Sequence, residues 1–173
     1  TASNFPFLKV PENDTNIILS VHTYEPLLVT HYKASWINDY KDYNGTIQYP
    51  GLPINKNEIK KYASNKAMVK FITDSNREYN KEEIRKILEP AILRAKELGL
   101  PLYCGEFGCL PTIPNEMRMQ YYNDLVQIFK ENGMGYAAWD YKGNFGIQHY
   151  DTANAVNLDT DVELINILAG PVK

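Results

Sequence analysis

The chain has 173 residues, is 44% hydrophobic and carries a net charge of −3. That length suits one domain with a core of its own, and the acidic balance excludes the basic footprint of a nucleic-acid-binding module. No apolar run reaches the roughly 18 residues that would indicate a membrane-spanning helix.

Thr1 is expected to be the start of a processed chain or fragment, because neither an initiator Met nor a leader precedes it. Asn13-Asp14-Thr15 and, further on, Asn44-Gly45-Thr46 are glycosylation triplets if the source is a eukaryotic secretory pathway. Asn16 to Val21 is a β-branched apolar run and predicts a strand. The polar, Tyr-rich stretch from Tyr24 to Asn57 contains Gly45, Pro50, Gly51 and Pro53 and predicts a long loop. A loop of that length is usually functional or disordered. Its tyrosines either extend a cleft or pack the loop, and the pattern leaves both open.

Asn80 is a good N-cap for a helix with Glu82 and Glu83 in its first turn and Gly99 at its end. Pro90 inside it should kink or reset the helix. Leu100 to Glu106 predicts a second strand. Pro114 begins another helix, with Met119, Tyr122, Leu125, Val126 and Phe129 on one face and Gly133 closing it. Gly135 to Trp139 predicts a third strand, and Asp161 to Leu168 a closing helix. Cys104 and Cys109 have a spacing unusual for zinc, so reduced core or loop thiols are expected, with no metal and no cofactor.

Strands alternating with helices indicate a parallel sheet with crossover helices. His22 and Tyr24 follow the first strand, Glu106 ends the second, and Trp139 and Asp140 end the third. The C-terminal ends of parallel strands form the active face of an α/β barrel and of an open doubly wound sheet alike. The pattern does not choose between them. A flavodoxin-like binding domain is disfavoured, because no Gly-rich phosphate loop follows the first strand.

Three stretches carry a resemblance: "SVHTYEPLLVTHYKASW" (20–36), "PLYCGEFG" (101–108) and "GYAAWDYKGNFGI" (135–147). Together and in this order they resemble glycoside hydrolase family 5, cellulase-type retaining β-glycosidases on a (β/α)8 barrel. The resemblance runs from about Asn16 to Leu168 and implies the sixth to eighth barrel strands, so the 173 residues would be the C-terminal part of one catalytic barrel. It implies Glu106 as the nucleophile that forms a glycosyl-enzyme intermediate. Tyr24 resembles the tyrosine that donates to that nucleophile, and His22 the histidine of the same cluster. Trp139 resembles the strand-end sugar platform, and Trp36 and His31 resemble residues lining the sugar cleft. The substrate implied is a β-linked polysaccharide or oligosaccharide, met outside the cell by a secreted enzyme.

A retaining glycosidase needs two carboxyl groups roughly 5–5.5 Å apart. The family's acid/base Glu follows an Asn at the end of the fourth barrel strand, and no strand-end Asn-Glu pair occurs here. Asn115-Glu116 falls at a helix start, and neither Glu25 nor Asp140 occupies the acid position. Roughly three of the eight strands are present. The inward faces of Val21, Tyr103 and Ala137 are therefore expected to lack opposing strands, with both sheet edges open. A companion chain or segment with the N-terminal strands, or self-association, is expected to complete the barrel. The reading is an endo-β-1,4-glucanase active when assembled. The alternatives are a mannanase, xylanase or lichenase of the same family, or a non-catalytic glucan-binding half-barrel.

Overall fold

A computed structural model describes residues 1–151 and 156–170. A 3-10 helix, Ala2–Phe7, leads into strand β1, Leu19–Thr23. The short helices α1 (Leu27–Thr30) and α2 (Lys56–Lys60) are followed by α3 (Lys66–Ser75) and α4 (Lys81–Leu98). Strand β2 (Leu102–Phe107), helix α5 (Asn115–Glu131) and strand β3 (Gly135–Ala138) come next. A hairpin of β4 (Gln148–Asp151) and β5 (Val156–Thr160) precedes helix α6, Val162–Ala169. Strands β1, β2 and β3 form a parallel three-stranded sheet in chain order, and β4 pairs antiparallel with β5.

The helix signals act as their chemistry dictates. The Asn80 side chain accepts the Glu83 N–H at 3.0 Å, and Gly99 takes the left-handed conformation that ends α4. Pro90 does not reset the helix, because α4 runs as one element from Lys81 to Leu98. Its Ile84, Leu88, Ala91, Ile92 and Ala95 form the buried stripe. In α5 all five residues of the expected apolar face are buried, and so are Arg118, Tyr121, Asp124 and Ile128. This helix is enclosed on more than one side because α6 also packs on it.

The long segment after β1 is ordered by its own side chains. The Tyr32 hydroxyl donates to the Gly45 carbonyl at 2.9 Å, Tyr40 to Leu28 at 2.7 Å and Tyr43 to Thr46 at 2.8 Å. Tyr40 and Tyr43 are fully buried and stack at 5.5 Å, so they pack the loop rather than extend a cleft. Tyr49 reaches α5 and donates to Asp124 at 2.5 Å. The sequence reading left α3 and the hairpin unassigned. Helix α3 does carry an N-cap, since the Asn65 side chain accepts the Met68 N–H at 3.1 Å, whereas the hairpin lacks a tight-turn dipeptide.

Burial alternates along β1. Leu19, Val21 and Thr23 are buried beneath the helices, whereas Ser20 and His22 are exposed on the other face. Val21 thus does not face inward as expected. The strand starts at Leu19 rather than Asn16, and it is Ser20 and His22 that line the uncovered side. Tyr103 and Ala137 are half-buried. The helices supply a real core on one face of the sheet, and the opposite face is open.

Candidate active site

The site forms where β1, β2 and β3 end. A shift in the β1–β2 register follows Val21 and sets His22 opposite Glu106. The β2–β3 register also shifts between Cys104 and Phe107. Irregularities of this kind re-aim side chains at strand ends.

The two glycines around Glu106 have separate steric reasons. A Cβ on Gly105 would lie 2.9 Å from His22 Nε2 and 2.8 Å from Ser20 Oγ. Glycine there lets the His22 ring lie beside β2. A Cβ on Gly108 would lie 2.4 Å from the Trp139 carbonyl oxygen. Glycine there lets β3 close against β2, where the Trp139 N–H donates to the Phe107 carbonyl at 2.8 Å.

Glu106 is 30% exposed at its side chain, deep enough to be addressed by neighbours yet open to a ligand. The Tyr24 hydroxyl donates to Oε2 at 3.1 Å. His22 Nδ1 lies 3.6 Å from the same oxygen. Burial and the adjacent Glu106 carboxylate push the Tyr24 phenol well above its ordinary value, so it remains a proton donor. Both neighbours address Oε2 and leave Oε1 outside these contacts.

Tyr24 is held from behind. The Thr30 hydroxyl donates to the Tyr24 carbonyl at 2.6 Å and lies 2.9 Å from His31 Nδ1. A hydroxyl has one proton, and here it goes to the carbonyl. His31 Nδ1 therefore carries its own proton and donates to Thr30 Oγ1, leaving Nε2 with a lone pair. Burial lowers the His31 pKa to about 4, so the ring is neutral at ordinary pH.

The sequence-predicted residues fall into two groups. Glu106, Tyr24 and His22 meet directly. His31 joins them through an edge contact to Tyr24 at 5.2 Å, and Trp36 through His31 at 6.0 Å. Trp36 is 50% exposed and Trp139 46%, large indoles left open to solvent. Trp139 is tied to the site through its backbone, next to Phe107. The sequence reading missed Phe145, which touches Tyr24, His31 and Trp36. Its signal is the Gly143-Asn144-Phe145-Gly146 turn after β3.

Glu25 and Asp140, the other strand-end carboxylates, are engaged elsewhere. Glu25 accepts the Tyr79 hydroxyl at 2.7 Å, and Asp140 accepts the Gly143 N–H at 3.1 Å. A cleft of about 620 Å³ beside β1 is lined by His22, Tyr24, Glu25, Arg77, Glu83 and Lys86. Cys104 and Cys109 are free and buried, and burial pushes both thiols up to about 12. Among the described residues no group of His, Cys, Asp and Glu could hold a metal ion, and no helix is long and apolar enough to cross a membrane.

A carboxylate at the end of a central parallel strand, with its aromatic neighbours on adjacent strand ends, defines an α/β protein with its site on the C-terminal face of the sheet. The chain belongs to the cellulase family, glycosyl hydrolase family 5, whose family model matches residues 1–145. It is 33% identical over 158 residues to Endoglucanase C of Acetivibrio thermocellus, covering 91% of this chain and 44% of that protein. It is 28% identical over 145 residues to Endoglucanase 3 of Fibrobacter succinogenes, covering 80% of this chain and 22% of that protein. The endoglucanase Cel5A of Thermotoga maritima superposes with a TM-score of 0.67 at 22% identity, covering 96% of this chain and 43% of that structure. The chain therefore has a partial α/β fold with the parallel sheet of these barrel proteins, and it spans less than half the length of the curated relatives it matches.

Proposed function

We propose that this chain is the nucleophile-bearing, C-terminal part of a secreted, retaining endo-β-1,4-glucanase. The single observation that carries this reading is the Tyr24–Glu106 hydrogen bond at the sheet's C-terminal end, in a chain of this family. Glu106 Oε1 attacks the anomeric carbon as the glycosidic C–O bond breaks. The leaving oxygen takes its proton from an acid/base carboxyl outside this chain. Water, deprotonated by that same group, then attacks the anomeric carbon and releases Glu106. The Tyr24 hydroxyl holds Oε2, with His22 Nδ1 beside it, and leaves Oε1 for the attack. Trp139 and Trp36 offer indole faces to sugar C–H surfaces, and His31 Nε2 accepts from a sugar hydroxyl.

A β-linked oligosaccharide fits the aromatic exposure of the site. Solved Thermotoga maritima Cel5A structures hold cellobiose in one case and mannotriose in another, which supports the class of ligand. The open sheet face with Ser20 and His22 supports completion by further strands, on a companion chain or segment, of one barrel. They would bring the acid/base residue to retaining distance from Glu106.

Trapping with a slow-turnover fluoro-glycoside tests the assignment. In the assembled enzyme the label should attach to Glu106, and Glu106→Gln should lose at least about 10³-fold in kcat while still binding sugar. Labelling of another residue on a fully active sample overturns the reading.

A further inference from the structure

We propose that Phe145 is a positioning residue, acting through Tyr24 and Trp36, an inference that rests on the reading of Glu106 as nucleophile. Phe145 sits in the turn after β3, yet its ring is only 6% exposed. Ring centroids lie 5.7 Å from Tyr24, 5.3 Å from His31 and 6.2 Å from Trp36, at angles between 49° and 65°. These tilted and edge geometries suit the charge distribution of aromatic rings. One side chain thus contacts the donor to Glu106, the buried imidazole and an exposed indole.

The turn is built to aim it. The Asp140 carboxylate accepts the Gly143 N–H at 3.1 Å, and the Gly146 N–H donates to the Gly143 carbonyl at 3.0 Å. A Cβ on Gly143 would lie 1.9 Å from Asp140 Oδ2, and one on Gly146 would lie 2.9 Å from the Gly143 carbonyl oxygen. Glycine at both positions permits a tight loop that folds back over the ends of β1 and β2. Phe145 also packs with Ala34 and Leu110 in a small cluster apart from the main core. Leu110 follows Glu106 on the β2 loop, and its N–H donates to the Thr30 carbonyl at 2.9 Å. Loops from all three strand ends therefore converge on this ring.

Two consequences follow for the reaction. The aromatic ring holds the Tyr24 ring in the attitude that keeps its hydroxyl on Glu106 Oε2. It also fixes the angle of Trp36, and so the sugar surface the indole presents. A smaller or flexible apolar side chain preserves burial but loses both constraints.

The test uses Phe145→Met, which retains apolar bulk, alongside Phe145→Leu, in the assembled enzyme. Tyr24→Phe serves as the reference for a lost donor. The expected result is a fall of about 10- to 100-fold in kcat/KM, with KM raised. The Phe145→Met, Tyr24→Phe double variant should have almost the same kcat as Tyr24→Phe alone, because both changes remove the same hydroxyl contact to Glu106. A Trp139→Phe background with 5-hydroxytryptophan incorporated into this chain alone leaves Trp36 as the single residue excited at long wavelength. In that background Phe145→Met should at least double acrylamide quenching of Trp36. Variants that lose thermal stability but add their full effect to that of Tyr24→Phe and leave the quenching unchanged overturn the proposal, because Phe145 is then core packing alone. An assembled protein with native Phe145 and no glycosidase activity instead overturns the nucleophile reading. The quenching comparison then still decides whether Phe145 positions Trp36.

Discussion

The Tyr24 hydroxyl lies 3.1 Å from Glu106 Oε2, across 82 residues of sequence. A neutral donor held by burial beside a carboxylate stabilises the charged form. A hydrogen bond to a charged group contributes about 1.5–3 kcal/mol. Tyr24→Phe should therefore lower kcat/KM by roughly 10- to 100-fold. The loss should fall on kcat rather than on sugar binding, because Tyr24 donates to the Glu106 carboxylate and not to the sugar. Steady-state kinetics and calorimetric binding with the assembled enzyme read both. A variant as active as the parent at every pH shows that the hydrogen bond has no part in the reaction.

Gly105 and Gly108 should fail differently when replaced by alanine. At Gly108 the new methyl meets a backbone oxygen, the Trp139 carbonyl, 2.4 Å away. Backbone cannot move aside without breaking the β2–β3 ladder, so the cost should reach or exceed about 3 kcal/mol. At Gly105 the methyl meets the side chains of Ser20 and His22, which can rotate. Gly105→Ala should cost only about 1 kcal/mol, with activity lost through displaced His22. Urea unfolding of the two variants gives the comparison, and equal destabilisation contradicts it.

The buried His31 should make stability depend on pH. Its pKa falls from the ordinary 6.5 to about 4 in the folded protein. Between those values the unfolded chain binds a proton that the folded chain does not, so stability rises with pH. The contribution is fully present above the unfolded value and is lost as pH falls towards 4. The ring retains a little solvent access, which holds the expected size to about 2 kcal/mol. Urea titrations at pH 7 and pH 4.5 should show this loss in the parent and a smaller one in His31→Gln. The same pH dependence in both proteins shows that His31 is not its source.

Trp139 is exposed although it sits at a strand end beside the site. Trp139→Ala should weaken cello-oligosaccharide binding by about 1–3 kcal/mol, the scale of aromatic stacking losses. Calorimetric titration of the Glu106→Gln enzyme measures this without turnover. An unchanged dissociation constant in a folded variant assigns Trp139 to packing.

The sequence alone placed Glu106, Tyr24, His22 and Trp139 at strand ends, because strand periodicity and Gly punctuation are local signals. It likewise located α4, α5 and α6 by cap residues and apolar spacing, since Asn80, Gly99 and Asp161 act within a turn of themselves. Other features were decided only in three dimensions. The face to which Val21 turns depends on pairing register and on which side the helices cover, since a one-residue shift reverses every side chain. The fate of the tyrosines between residues 24 and 49 depended on carbonyl partners elsewhere in the same loop and, for Tyr49, on α5. Phe145 was invisible as a site residue because its partners Tyr24, His31 and Trp36 lie more than a hundred residues upstream. A local pattern reports what neighbours in sequence demand of the backbone. Which side chains then share one small volume is set by how strands and loops pack, and no local spacing encodes that.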